Sequence, residues 1–534
     1  IVEPYDGKVG VDLYCTTSSA GGGLQMMVTG VVKKITAESA NRAALGAGAI
    51  VMNVLAIDDN MPPYKKIRYI RNLRPDMILM AGGTDGGTIS HVVSIAEYIK
   101  SADPKSRLGL GYKLPIVYAG NKFAKKNISN LLKDNFSLIF VDNIRPILEI
   151  EEIDPARRAI HKVFMEHVMS HAPGYIKLMK WTNIDIMPTP AGEGIAMQLI
   201  ANTYKRNVLG VGLGGATTNI YSIVDDRFVR SVSANLGMSY SITNVMKEAG
   251  IDNIMRWVPL DIDEEDIRNR LRNKMIRPTT IPQTLEGLII EHAVAREALR
   301  LGLEHHKSIA TRLKGTRGES ALARGITRQE MKETYIDMMR IGIIVGTGGL
   351  LSHAPRRVQS LMILADSFQP EGVTMMFQDS VFMMPHLGLL STVYQDAAWS
   401  IFEKDCLLRL GSIIAPRGRA KSGDLVMEVN LEMDGGRRLN ETLRWGEIKK
   451  IELAKRQTAK VEIRPSKNFD IGKGKGKKLV TTIEGGIVGV VLDGRGRPIT
   501  LPNGKIERKR ELLGWFKKLK MYPEKFLEDV KSYV

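Results

Sequence analysis

The sequence predicts an α/β protein: two strand-and-helix halves followed by a small β-rich C-terminal module. Three observations carry this. Short β-branched runs alternate with amphipathic helical stretches from Val11 to about Lys205, a second strand, glycine turn and helix appear over Arg340–Ser367, and from Gly423 the apolar periodicity switches to two with glycine punctuation. Strands separated by helices argue for a largely parallel sheet, with ligands in the loops that follow its strands, whereas period two argues for a β-rich region.

In chain order, "VDLYCTTSSAGGGL" reads as a strand entering a glycine-rich turn, "TAESANRAALGAG" as a helix, "AIVMNVLA" as a strand and "PPYKKIRYIRNL" as a helix. "DMILMAGGTDGG" then reads as strand and loop, "TISHVVSIAEYIK" as helix, "LPIVYAG" as strand, "NISNLLKDN" as helix and "FSLIFVDN" as strand. The helix "AGEGIAMQLIANTYKR" delivers the chain into a hairpin, "NVLGVGLGGATTNIYSIVDDRFVRSVSAN", whose second and third runs pair across Asp225 and Asp226. From Met238 to about Met339 the pattern is mainly helical. There Leu285, Leu288, Ile289, His292, Ala295 and Leu299 recur at helical spacing, which places His292 at a core edge and the pair His305 and His306 on a polar helix face. The expected domains are 1–205, 206–410 with a helical insertion at about 238–340, and 411–534, a basic β-rich module ending in the helix "KIERKRELLGWFKKLK".

Of the 534 residues, 44% are hydrophobic and 25% charged, the composition of a globular rather than a disordered chain. No apolar run approaches the roughly 18 to 20 residues that span a bilayer, and "IVEPYDGKVG" has neither the basic nor the apolar region of a signal peptide. A cytoplasmic protein without membrane contact is therefore expected. Cys15 and Cys406 make no disulfide framework and no CxxC pair, and read as structural thiols. The net charge of +18 is concentrated: residues 416–534 hold 28 Lys and Arg against 16 Asp and Glu. Without a zinc-finger or RNP pattern, and with 6% aromatic residues, this reads as a solvated basic surface, and nucleic acid is not an expected partner.

Four glycine-rich turns follow predicted strands: Ser18–Gly23, Ala81–Gly87, Gly212–Thr218 and Gly346–Gly349. Glycine lets backbone N–H groups face an anion without an intervening Cβ, and Thr or Ser hydroxyls add donors, so phosphate is the expected ligand. None of the four is a Walker A loop or a GxGxxG turn. "GKGKGKK" at Gly472–Lys478 has no following helix and reads as an exposed basic loop. His167 and His171 stand four apart but lack the Glu of HExxH, which favours a surface or packing role.

The hairpin followed much later by strand, "GTGG" and helix resembles the second half of the actin, Hsp70 and sugar kinase ATPases, a ribonuclease H-like fold. Together with "TTSSAGGGLQMMVTGVVKKITAESANRAALGAGA", "MILMAGGTDGG", "MPTPAGEG", "GTGGLLSHAP", "MMPHLGLLST" and "EGGIVGVVLDGRGRPITLP", the chain resembles the glutamate mutase L family, also called MutL, from about Val11 to its end. The resemblance implies two actin-like halves. It also implies an ATP-dependent reactivating factor for an adenosylcobalamin-dependent mutase or aminomutase, which helps the mutase exchange damaged cobalamin. ATP and Mg2+ would be the cofactors here, and cobalamin would belong to the mutase, since this chain has no DxHxxG motif. Gly214, Gly215, Ala216, Thr217 and Thr218 would form the second phosphate loop, and Gly346, Thr347, Gly348 and Gly349 the adenosine turn. Asp85 is the candidate catalytic carboxylate, for Mg2+ or for orienting water; an Asx turn or helix cap before Thr88 is its structural alternative.

Two departures bear on hydrolysis. The family hairpin reads Asp-x-Gly-Gly-Ala-Thr-Thr-Asp, whereas Gly212 and Asn219 stand here at the two aspartate positions. If the missing carboxylate limits hydrolysis, restoring Asp at 212 raises it. The opening Asp-x-Gly hairpin is also absent; because the chain begins at Ile1, truncation is the expected reason, and genuine loss would make a pseudo-ATPase. The competing readings are a small-molecule kinase or ATP-dependent amidohydrolase relative, and a non-hydrolysing scaffold that binds the mutase.

Overall fold

The computed structural model describes residues 9–19, 24–47, 49–106, 113–164, 166, 174–313 and 332–532. Contacts divide the chain into two units, 1–189 with 230–232, and 190–229 with 233–534.

In the first unit, β1 (Thr17–Ser18) pairs with β7 (Met187–Pro188). The main sheet comprises β2 (Leu24–Gly30), β3 (Ala49–Ala56), β4 (Met77–Met80), β5 (Leu114–Tyr118) and β6 (Phe136–Phe140), all parallel in the order β3-β2-β4-β5-β6. Helices α1 (Glu38–Gly46), α2 (Pro63–Leu73), α3 (Ser90–Ala102) and α4 (Lys125–Leu132) connect these strands, followed by α5 (Asp154–Val163) and α6 (Tyr175–Trp181). Parallel sheets are covered on both faces, which explains why β4 and β5 are apolar without alternation and wholly buried. Met26 and Val28 pack with Ala40, Ala43, Ala44 and Ile160 on one face, while Met27, Ile78 and Ile116 pack with Val92, Ile95 and Ile128 on the other. Among the described residues this sheet contains no antiparallel pair.

The second unit opens with α7 (Thr189–Tyr204), which leads into β8 (Val208–Leu213), β9 (Thr218–Val224) and β10 (Arg227–Ser233). Asp225 and Asp226, at φ 51° and 61°, make the left-handed turn between β9 and β10 that suits the twist of two paired strands. Four helices follow: α8 (Ile242–Ala249), α9 (Ile251–Met255), α10 (Glu264–Ile276) and α11 (Leu285–Ile309). After a short antiparallel pair, β11 (Thr311–Leu313) with β12 (Lys332–Thr334), the chain returns through β13 (Ile343–Thr347), α12 (Gly349–Ser352), α13 (Arg357–Phe368) and β14 (Gly372–Asp379). Helices α14 (Met384–Leu390) and α15 (Gln395–Ile401) precede β15 (Leu407–Ala415). Strands β13 and β14 run parallel to β8, so an antiparallel hairpin continues into parallel strands, the order expected of an actin-like second half.

The segment expected to stand apart from 411 onward is divided. Strands β16 (Leu425–Met433), β17 (Arg438–Arg444), β19 (Thr458–Pro465) and β20 (Leu479–Glu484) form a separate antiparallel sheet, in the order β17-β16-β19-β20. Strands β18 (Ile448–Ile451) and β21 (Gly489–Asp493) instead join the eight-stranded sheet β10-β9-β8-β13-β14-β15-β21-β18. Helices α16 (Lys505–Lys518) and α17 (Glu524–Ser532) and the connection between them pack into the main core through Leu512, Trp515, Phe516, Tyr522 and Leu527. Buried ion pairs tie "DGRGRP" to the same core: Arg495 reaches Asp366 and Asp493 at 2.8 Å each, Arg497 reaches Asp493 at 2.9 Å, and Asp366 pairs with Arg296 of α11 at 2.7 Å. Burial opposes ionisation of Asp493, but Arg495 and Arg497 outweigh it and hold the carboxyl below its ordinary range.

Helix α11 is a core helix, which overturns the polar face expected at its end. His306 is fully buried, with Nε2 2.8 Å from Ser222 Oγ, and His305 Nδ1 lies 2.8 Å from Ser233 Oγ. His292 lies inside the core rather than at its edge, with Nδ1 2.9 Å from Tyr522 Oη. His167, His171 and residues 20–23 of the first glycine turn lie outside the described residues. Cys406 is buried and Cys15 half-buried, and residues 472–478 form a largely exposed loop. Among the described residues, no helix is long and apolar enough to cross a membrane.

Candidate functional site

Strands β8 and β9 pair with Gly212 opposite Asn219 and Leu213 opposite Thr218, leaving Gly214–Thr217 as the tip. The tip is closed by Gly214 N donating to Thr217 O at 2.9 Å. The chain after β10 braces it: Met238 N donates to Gly214 O at 3.0 Å, Ser239 N donates to Gly215 O at 2.8 Å, and Thr218 Oγ1 donates to Leu236 O. With its carbonyls used in this way, the tip keeps donors to spare. The amides of Gly215, Ala216 and Thr217 and the Thr217 hydroxyl have no hydrogen-bond partner among the described residues. Thr218 differs from the other tip residues, since its hydroxyl is spent on Leu236.

The glycine turn after β13 is brought beside this tip. Thr347 is in register with Gly212 across the parallel pair, and Gly348 takes φ 108°, where L-residues are strained. A Cβ on Gly348 would stand 2.9 Å from Leu213 N, so the turn seats directly on the end of β8. Thr347 is buried, and its Oγ1 donates to Asp379 Oδ2 at 3.0 Å. Asp379 also accepts from the amides of Val381, Met383 and Met384, which commits both residues to shaping the loops.

Asp85 belongs to the first unit, in the loop after β4. Its Oδ1 accepts from Lys122 N and Asn143 Nδ2, each at 3.0 Å, and its own amide donates to Pro146 O at 2.9 Å. The carboxylate therefore ties together the loops after β4, β5 and β6, while Oδ2 lies 3.7 Å from Lys122 Nζ.

A carboxylate not singled out in the sequence stands against the hairpin. Gly210, Gly212, Asn219 and Tyr221 alternate along one face of the paired strands, and α7 lies against that face. Met197 sits over Gly210 and Glu193, one helical turn earlier, over Gly212. Gly194 allows the close approach, since a Cβ there would stand 2.9 Å from the Phe228 ring and 3.4 Å from Tyr221, while Gly192 seats the same helix against Pro385 of α14. Glu193 is 2% exposed and accepts from Tyr221 Oη at 2.5 Å, with Asn219 Nδ2 at a long 3.5 Å. The volume at position 212 is therefore occupied, which removes the ground for expecting a simple gain from Asp there. The one legible signal was an acidic residue between glycines in "AGEG", on a helix otherwise apolar toward the sheet.

The hairpin, its parallel continuation and the glycine turn define a mixed α/β protein with a donor-rich loop site at the ends of its central strands. A family model described as MutL protein matches residues 2–406, and the chain belongs to that family. Protein MutL of Clostridium tetanomorphum is 29% identical over 416 residues, 72% of this chain and 84% of the relative. Among solved structures, the activator of the 2-hydroxyisocaproyl-CoA dehydratase from Clostridium difficile with bound ADPNP is similar at 11% identity and a TM-score of 0.21, over 42% of this chain and 73% of the activator. The archaeal actin homologue Ta0583 is similar at 10% identity and a TM-score of 0.20, over 57% and 75%. At these scores neither likeness carries the assignment, which rests on the family model.

Proposed function

We propose that the hairpin-and-turn site binds the phosphates of ATP, and that the chain is an ATP-dependent reactivating factor for an adenosylcobalamin-dependent mutase of the glutamate mutase type, acting in the cytoplasm. The observation that carries this reading is the set of donors at the tip: three backbone amides and the Thr217 hydroxyl, without hydrogen-bond partners among the described residues, beside the Gly348 turn. Successive unpaired amides in a turn are the raw material of an anion-binding concavity. Membership of the MutL family supports a mutase as the partner, with cobalamin carried by that partner.

Mg2+ is the cation expected with ATP, and it takes hard oxygen ligands while keeping several waters. The residues present fit that demand: Glu193 brings a carboxylate and Asn219 a buried amide oxygen, Oδ1, without a hydrogen-bond partner among the described residues. When bound, Mg2+ neutralises phosphate charge. The tip amides hold the phosphate oxygens, Thr217 donates one further hydrogen bond, and the Gly348 turn bounds the nucleotide on the adenosine side. In the first unit, Asp85 has Oδ1 committed to the loops of that unit, so a cation or water there would meet its Oδ2. Hydrolysis of the phosphoanhydride then drives remodelling of the mutase.

Calorimetric titration with ATP and ADP in Mg2+ tests this reading: saturable binding is expected, and no binding of either nucleotide overturns it. A second reading, a non-hydrolysing scaffold, is favoured by Gly212 and Asn219 at the aspartate positions. Nucleotide binding without phosphate release, with the mutase present, selects it.

A further inference from the structure

The two strand positions that carry aspartates in the family pattern face each other here as Gly212 and Asn219, neither of them charged. The structure nevertheless places a carboxylate between them. A Cβ on Gly212 would lie 2.9 Å from the Glu193 carboxyl carbon and 3.0 Å from Oε1, so the helix residue fills the volume of the absent strand side chain. Tyr221, two residues along β9, orients that carboxylate through its 2.5 Å hydrogen bond. A second observation points the same way. Asn219 is buried, and its Oδ1 has no hydrogen-bond partner among the described residues, a state that buried polar atoms avoid unless water or an ion completes it.

We propose that Glu193, delivered from α7 into the space of the missing side chain at 212, is the anionic group that positions the Mg2+ ion of a nucleotide bound at the hairpin. The inference rests on the nucleotide-binding reading above. It goes beyond that reading by moving the essential carboxylate from the hairpin strands to the preceding helix. Asn219 Nδ2 faces Glu193 at 3.5 Å, which leaves its unpaired Oδ1 as a second oxygen beside the carboxylate, and the glycine at 212 is required because Glu193 needs its volume.

The test compares wild type, Glu193→Gln, Glu193→Ala and the exchange Glu193→Ala with Gly212→Asp. Each is titrated with ADP in Mg2+ and again in EDTA, and its thermal melt is recorded. Wild type is expected to bind more tightly with Mg2+ than without. E193Q keeps the shape and the Tyr221 contact, so its melt and its metal-free affinity should match wild type, while the tightening by Mg2+ falls by roughly 10- to 100-fold. E193A should lose that tightening as well, and the exchange should recover part of it, because Asp at 212 then reaches the vacated space. Full Mg2+ tightening in E193Q overturns the proposal. So does a loss of stability and metal-free affinity in E193Q that the exchange fails to restore, since that pattern marks a purely structural residue. Absence of ADP binding by wild type in both conditions overturns the nucleotide reading itself, and this inference with it.

Discussion

Glu193 and Gly212 share one space, with the carboxyl carbon of the first 2.9 Å from where a Cβ of the second would stand. The pair links a helix to the strand that follows it, and it makes the glycine a consequence of the glutamate. Gly212→Ala alone should therefore destabilise the second unit by about 1–3 kcal/mol through overpacking. Gly212→Asp should cost more, because it brings a second carboxylate into a buried site. Thermal melts of the two single variants check this; a wild-type melting temperature for G212D would show that α7 does not hold Glu193 there.

Two changes at the tip and turn should weaken nucleotide binding to different extents. Thr217→Ala removes one hydrogen bond to a charged group, a loss of about 1.5–3 kcal/mol. Gly348→Asp places a side chain against Leu213 at a φ of 108°, which deforms the turn itself and should abolish binding. Calorimetric affinities for ADP measure both, and unchanged affinity in G348D would move the site elsewhere.

Stability should fall below neutral pH. Burial lowers the pKa of His292 to about 3, assisted by Arg296, and that of His306 to about 3, assisted by His305 and Lys307. The folded state keeps both rings neutral, whereas the unfolded chain protonates them near pH 6.5. Protons therefore favour the unfolded state, and the stabilisation is complete above about pH 6.5 and lost progressively toward pH 3. Each group contributes a slope of at most roughly 1.4 kcal/mol per pH unit in that window. Urea midpoints at pH 7, 6 and 5 should decline, and His306→Gln should flatten the decline.

The buried ion cluster predicts that the C-terminal segment cannot be removed. Asp493→Ala leaves the Arg495 and Arg497 guanidinium groups without their common carboxylate, a loss of about 3–5 kcal/mol. A chain ending at Thr500 lacks α16 and α17, and with them Trp515, Phe516 and Tyr522 of the main core. Both should show reduced cooperativity in thermal melts; a cooperative wild-type transition in the shortened chain would restore 411–534 as an independent module.

Sequence by itself determined the elements and the donor loops. The alternation of "AIVMNVLA", "DMILM" and "LPIVY" with helical stretches specifies β3, β4 and β5 with their connections, because strand and helix periods are local properties. The glycines of Gly212–Thr218 and Gly346–Gly349 marked the hairpin tip and the turn for the same reason: backbone freedom is written in residue type. Only the tertiary structure decided what those loops meet. Placing Glu193 over Gly212 depends on the packing of α7 against β8 and β9, and the burial of His306 on what covers α11. Joining β18 and β21 to the large sheet depends on pairings between residues distant in sequence. Such contacts are set by which faces pack together, and no single stretch of sequence carries that information.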